Sequence, residues 1–369
     1  MEKIRLKDKP EDFAKLGLDP NSVQDWEDGR RDTSEANHNE VWYYDANFED
    51  GSKVIVAFRT KTLEKMAVEG DTPNLNIYIT MPDGKEYQEL LEYPSAESHF
   101  GTEHCDVKMG PHFARGDFKS WDLHYEPVNG YGVHLHYDAL VDPFRQGTAE
   151  IAIGDDEAGY YSDLSVPRSR VTGTLTFDGK LSEVEGSGYH DHQWMNISAL
   201  VAWHHWLWGR MYTDKYTVYI YDFVSSGRYG FTRVPLFGVQ DKAGKVVFMT
   251  NGTDMTLEAS TFHEDVTDKD YPKTSRYVFE HDGNKVEFTV TWEEQLEIRD
   301  VYGSSPEPAK ARFDAMGIRP SYLRFFAKGD VKVTIGDVTE ESSGNMIYEY
   351  FYAGVPDERA GVEGCDLRA

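Results

Sequence analysis

The sequence predicts a mostly β protein, made of two antiparallel β-sandwich or barrel domains with few short helices. Short runs rich in Val, Ile, Tyr, Phe and Thr recur from residue 40 onward, and helical periodicity is weak throughout. Asp-Gly or Asn-Gly pairs stand between many of the runs, at Asp50-Gly51, Asp83-Gly84, Asn129-Gly130, Asp178-Gly179, Asn251-Gly252 and Asp282-Gly283. Such pairs tolerate positive φ, which matches the twist of a two-residue hairpin turn. A length of 369 residues favours two cores over one.

Taken in order, residues 1–38 are polar and rich in Pro and Asp, and they read as an N-terminal arm with one short helix over 11–16. Strands are expected over 41–48, 53–60, 74–80, 133–140, 148–153 and 171–177, which places a first β domain at 39–185. The same style returns at 216–224, 229–239, 245–250, 275–281, 285–294, 322–327, 331–335 and 343–353, which places a second β domain at 186–369. The best helix candidate there is 307–316. No exact internal repeat joins the halves.

The chain carries 65 acidic against 38 basic residues, a formal charge of -27. That excess repels phosphate backbones, so nucleic acid is not an expected partner. Its ordinary meaning is a well-solvated surface. Cys105 and Cys365 allow no disulfide framework and no zinc spacing. The N-terminus has no apolar signal core, and no apolar run of membrane-spanning length occurs, so a reduced, cytoplasmic protein without membrane insertion is expected. Nothing in the sequence sets an oligomeric state.

Chemistry concentrates in 186–210, which holds four of the 8 Trp and four of the 13 His. In Gly186-Ser-Gly188-Tyr189-His190-Asp191-His192-Gln193-Trp194, strand alternation puts His190, His192 and Trp194 on one face and Tyr189, Asp191 and Gln193 on the other. Gly186-Ser-Gly188 reads as a turn that lets the backbone approach its neighbour. In the next run His204, Trp206, Trp208 and Arg210 align opposite Trp203, His205, Leu207 and Met211. The bland alternative is a pair of aromatic core strands with satisfied histidines.

Asp222 shares parity with Val218, Ile220 and Val224, so a carboxylate stands on an apolar face while Tyr219 and Tyr221 take the other. Burial disfavours the charged form, which suits a general acid; an Asp turned to solvent at the strand end is the alternative. His-x-His occurs at His134/His136 and His190/His192, but neither pair has a third ligand at a fixed offset, so no metal is assigned. Nucleophile elbows, phosphate loops and dinucleotide fingerprints are absent, so no cofactor is expected.

The string Gly186 to Trp194, followed by Trp206-Leu-Trp208-Gly-Arg210 and a strand ending Tyr219-Ile-Tyr221-Asp222, resembles the carotenoid 1,2-hydratase (hydroxyneurosporene synthase) superfamily. Glu40-Val41-Trp42-Tyr43-Tyr44 is similar to the Glu-Trp-Trp-Tyr signature of that superfamily's first domain. The chain departs from the pattern at Gln193, where Asn is usual, and at Met195, where Gly often follows. The resemblance implies two lipocalin-like β domains packed side by side with a ligand site near their junction. Kievitone hydratase and fungal Diels-Alderases are among the relatives it brings in.

On that resemblance the expected function is cofactor-independent acid/base chemistry on a C=C bond of a small lipophilic, terpenoid or prenyl-like substrate, as a hydratase, dehydratase or double-bond isomerase. Asp222, or else Asp191, would donate the proton, and His192 with His190 would hold the water. Trp194, Tyr189, Trp206, Trp208, Tyr219, Tyr221 and Trp42 would line the substrate and face a carbocation. Two other readings stand beside it: a pericyclase that folds a polyene, and a carrier of a lipophilic ligand with no chemistry.

Overall fold

The computed structural model describes residues 3–250, 255–361 and 366–368; Asn251-Gly252 and Cys365 lie outside the described residues. The chain is mostly β, with two curled antiparallel sheets forming half-barrels, as the fold class expected. It divides into one compact unit of residues 7–151 with 159–198, and a second of 1–6, 152–158 and 199–369.

In the first unit the hydrogen-bonded order is Glu86–Glu92, Asn74–Thr80, Lys53–Arg59, Asn39–Phe48, Lys180–Met195, Leu164–Phe177, Tyr131–Ala139, Ser120–Val128, His112–Gly116, Cys105–Met109, Ser98–Phe100. Asn129 and Gly130 (φ 53° and 89°) and Asp178 and Gly179 (φ 51° and 72°) turn two of its hairpins with both central residues at positive φ. That is the conformation the Asn-Gly and Asp-Gly pairs predict. Trp42, Tyr44, Trp121, Leu135, Tyr137 and Trp194 pack in one core on the inner face. Burying each such aromatic contributes roughly 1.5–3 kcal/mol.

Residues 7–38 of the segment expected as an arm fold into this unit. The helix Pro10–Leu16 ends on Gly17 in the left-handed region (φ 68°). The turn Asp25–Asp28 then carries Glu27 and Asp28 into the interior, 1% and 0% exposed.

Gly186-Ser-Gly188 is not a turn. It lies inside the unbroken strand Lys180–Met195, where a Cβ on Gly186 would stand 2.1 Å from the carbonyl oxygen of Asn47. The close backbone approach is what the glycine provides.

In the second unit the order is Val246–Thr250, Arg233–Asp241, Tyr216–Ser225, Trp203–Tyr212, Val338–Tyr352, Ser321–Ile335, Asn284–Arg299, Lys269–His281, Met255–Glu264, Asp366–Arg368. The expected runs 322–327 and 331–335 are one strand; Gly329 between them lets Met211 pack, since a Cβ there would lie 2.4 Å from its sulfur. The run expected from 229 begins instead at Arg233, after the short helical turn Gly227–Tyr229. The helix Glu307–Met316 matches its expected range.

Curling brings distant strands together. Phe237 stacks on Phe279 at 4.0 Å although five strands separate theirs in hydrogen-bonding order. No helix among the described residues is long and apolar enough to cross a membrane.

Candidate functional site

The strand Lys180–Met195 alternates as its sequence predicts. His190, His192 and Trp194 enter the core of the first unit, where every one of them is already engaged. His190 places Nε2 3.0 Å from Asp28 Oδ1 and Nδ1 2.9 Å from the Tyr43 carbonyl, with its ring stacked on Tyr44 at 4.2 Å. His192 places Nε2 2.7 Å from Glu40 Oε1 and Nδ1 3.2 Å from the Glu27 carbonyl, and stacks on Trp42 at 4.6 Å.

The carboxylates are held in turn. Trp121 Nε1 donates to Asp28 Oδ2 at 2.9 Å, and the Arg31 and Asp32 amides donate to Glu40 at 2.7 and 3.2 Å. Arg145 bonds both oxygens of Glu27 at 2.7 Å. Trp42 Nε1 donates to the Asp28 carbonyl, and Trp194 Nε1 to Glu150. Buried polar groups satisfied this fully specify a core and leave no ring nitrogen for a substrate.

Tyr189 and Asp191 lie on the opposite face of the same strand, Asp191 paired with Tyr43 and Ser165 in the two ladders. Burial, helped by the charge of Asp163, pushes the Asp191 carboxyl well above the usual range, while Tyr189 and Gln193 pull it the other way. Among the described residues no three His, Cys, Asp or Glu side chains are grouped to hold a metal ion.

In the second unit the strand Tyr216–Ser225 also keeps its predicted parity. Val218, Ile220 and Val224 join the core, and Asp222, 2% exposed, faces inward with them. Its Oδ2 accepts from Tyr277 Oη at 2.8 Å and pairs with Arg233 Nη1. Its Oδ1 is buried with no hydrogen-bond partner. Burial raises the carboxyl above its ordinary value against the opposing pull of Arg233 and Tyr277.

Trp208, Tyr219 and Tyr221 are buried and Trp206 half-buried on the other face of this sheet, with Phe223, which stacks on Tyr221 at 3.8 Å.

The expected alternation fails at the start of Trp203–Tyr212. A bulge at His204 makes Trp203 oppose Ser225 and His205 oppose Val224, so Trp203 stacks on Phe223 at 4.4 Å instead of joining His205. One extra residue in a strand shifts everything before it to the other face.

His204 and His205 meet at 2.9 Å between their Nδ1 atoms, and His204 Nε2 lies 2.7 Å from the Val355 carbonyl. Nearby, the Lys269 ammonium sits 4.0 Å over the Tyr352 ring and donates to the Tyr352 carbonyl and Ser321 Oγ. Burial lowers it to about 7.

Two shallow surface clefts of about 280 and 360 Å³ are lined by Met81, Lys85 and Phe177, and by Lys65, Glu92 and Tyr93. Neither includes any predicted site residue.

The candidates thus fall into four sets: His190, His192, Trp194 and Trp42 in one core; Tyr189 and Asp191 behind it; and, in the second unit, Asp222 inside its sheet and Trp206, Trp208, Tyr219 and Tyr221 outside it. Sequence reasoning missed Glu27 and Asp28, whose signal was an acidic pair beside Trp26 in an otherwise polar segment. It also missed Tyr277 and Arg233, whose partner Asp222 was visible but whose strands could not be placed opposite it.

A family model described as the Svf1 family matches residues 98–352, more than half the chain. A ceramide-binding protein svf1 of Emericella nidulans is 24% identical over 230 residues, covering 57% of this chain, which itself spans only 60% of that relative. Among solved structures, kievitone hydratase from Nectria haematococca superposes with TM-score 0.51 at 12% identity, covering 87% of this chain and 91% of its own. CghA with Sch210972 gives TM-score 0.57 at 16% identity, covering 88% and 94%. Those two likenesses bear out the expected fold class.

Proposed function

The chain belongs to the Svf1 family, and from that premise we propose that it binds a long-chain lipophilic ligand of the ceramide class, held on the inner face of the curled second sheet. The observation that carries the reading is the composition of that face. Phe237, Phe279, Phe288, Leu323 and Phe325 belong to one buried cluster of the second unit, and Asp222, whose Oδ1 has no hydrogen-bond partner, is the one buried carboxylate of that unit among the described residues. An apolar concave surface with one or two polar groups fits a lipid chain with a small polar end. A relative carries the name ceramide-binding protein.

The first unit supports the same reading. Its histidines are committed to Asp28, Glu40 and backbone carbonyls, so the string that suggested catalysis acts as architecture.

The test is direct. The purified chain is mixed with vesicles containing N-palmitoyl-sphingosine, and native mass spectrometry reads the protein after the vesicles are removed. A one-to-one adduct supports the reading, and its absence at saturating lipid overturns it.

A second reading, acid catalysis at a C=C bond, is favoured by one observation: burial holds the Asp222 carboxyl above its ordinary range, as a proton donor requires. Deuterium uptake from solvent into a prenyl-bearing substrate would mark it. Binding without isotope uptake would leave the carrier.

A further inference from the structure

His205 brings a second acceptor to the sheet face that carries Asp222. A carbonyl only accepts, so the 2.7 Å bond to the Val355 oxygen is donated by His204 Nε2–H. His204 Nδ1 is then a lone pair, and the 2.9 Å bond between the two rings is donated by His205 Nδ1–H. His205 Nε2 is therefore an unprotonated acceptor. Burial lowers the proton affinity of both rings, which keeps this neutral arrangement in place.

His205 is 2% exposed and its ring stacks on Tyr350 at 5.4 Å with planes 12° apart. It opposes Val224 on the adjacent strand, while Leu207, two residues on, opposes Asp222. His205 and Asp222 are thus diagonal neighbours on one inward face, a relation that sets backbones about 7–8 Å apart.

Resting on the carrier reading above, we propose that His205 Nε2 and Asp222 Oδ1 form the polar end of the lipid site, two acceptors that select a neutral head group bearing at least two hydrogen-bond donors. A ceramide supplies these as its two hydroxyls and its amide N–H.

Charge narrows the class further. The Asp222 carboxylate is already paired with Arg233, so its demand is for a donor and not for a cation. Two acceptors facing inward repel a phosphate. A neutral diol lipid is favoured over its phosphorylated form, and a lipid lacking one hydroxyl leaves a buried acceptor unmet.

The experiment uses the full chain and three probes in phosphatidylcholine vesicles: N-palmitoyl-sphingosine, its 1-deoxy analogue and ceramide 1-phosphate. Uptake is read by native mass spectrometry for wild type, His205→Phe, which keeps the stack on Tyr350, and Asp222→Asn. Wild type is expected to prefer ceramide over each of the other two by about tenfold, the scale of one buried hydrogen bond. Each variant is expected to reduce its preference over the 1-deoxy lipid to within about twofold.

Wild type that takes up ceramide and 1-deoxyceramide equally overturns the head-group assignment while leaving the carrier reading intact. So does a folded His205→Phe that keeps the full preference. Uptake of none of the three removes the carrier reading itself. Should a variant fail to fold by circular dichroism, the wild-type comparison of the three lipids decides alone.

Discussion

Tyr277 Oη donates a 2.8 Å hydrogen bond to Asp222 Oδ2 across the inner face of the second sheet, between strands that four others separate in hydrogen-bonding order. The bond ties the two sides of the curl through a buried carboxylate. Neither residue could have been paired with the other from sequence spacing.

Replacing Tyr277 with Phe removes that donor and keeps the ring in the core. Stability should fall by about 1–3 kcal/mol, because the carboxylate loses a buried partner. Urea unfolding followed by tryptophan fluorescence measures it, and an unchanged midpoint would show that the bond contributes nothing to the curl.

Glu40→Ala should be more damaging. It strands the His192 Nε2 and the Arg31 and Asp32 amides, all bonded to one carboxylate that is 0% exposed. Breaking a buried charged pair from one side costs roughly 3–5 kcal/mol. Loss of near-ultraviolet circular dichroism from Trp42 and Trp194 should accompany it.

At Gly186 even a methyl group is too large. A Cβ there would stand 2.1 Å from the Asn47 carbonyl oxygen, in the ladder that joins Lys180–Met195 to Asn39–Phe48. Gly186→Ala should lower the thermal midpoint by several degrees, since overpacking typically costs about 1–3 kcal/mol.

Stability should also fall on the acid side. Burial, with a smaller push from His124, lowers His112 to about 4, and its Nδ1 accepts the Glu126 amide at 3.0 Å while Nε2 meets Tyr93 Oη at 2.8 Å. Between its ordinary value of 6.5 and about 4 the unfolded chain binds a proton that the folded chain does not. The stability contribution is therefore present above pH 6.5 and is lost as pH falls toward 4, at up to about 1.4 kcal/mol per unit. His112→Gln should flatten that part of a pH series of urea midpoints.

The alternation in the two richest strands was legible because side-chain period is a local property. His190, His192 and Trp194 separate from Tyr189 and Asp191, and Asp222 joins Val218 and Ile220, as spacing alone requires. Helices 10–16 and 307–316 were readable for the same reason, being bounded by Pro at the start and Gly at the end. Strands such as Glu86–Glu92 and Ser120–Val128 were not, because the first spaces Tyr87, Leu90 and Leu91 at the i, i+3, i+4 interval of a helix and the second contains Pro127.

The roles of the histidines depended on partners more than a hundred residues away. Asp28 reaches His190 from a segment that reads as solvated, and only the folded chain brings them together. The bulge at His204 left no mark in composition, yet it turns Trp203 onto the face of Phe223.

The Asp25–Asp28 turn makes the most conspicuous string of the sequence dependent on the least conspicuous one. A chain shortened past Gly29 would keep every strand from Asn39–Phe48 onward and lose the acid that seats His190, the tether of Arg145 and the carbonyl that anchors Trp42. Its interior would then hold orphaned imidazoles, and the first symptom would be exposed indoles and aggregation of the half-barrel while the strand content stayed nearly the same.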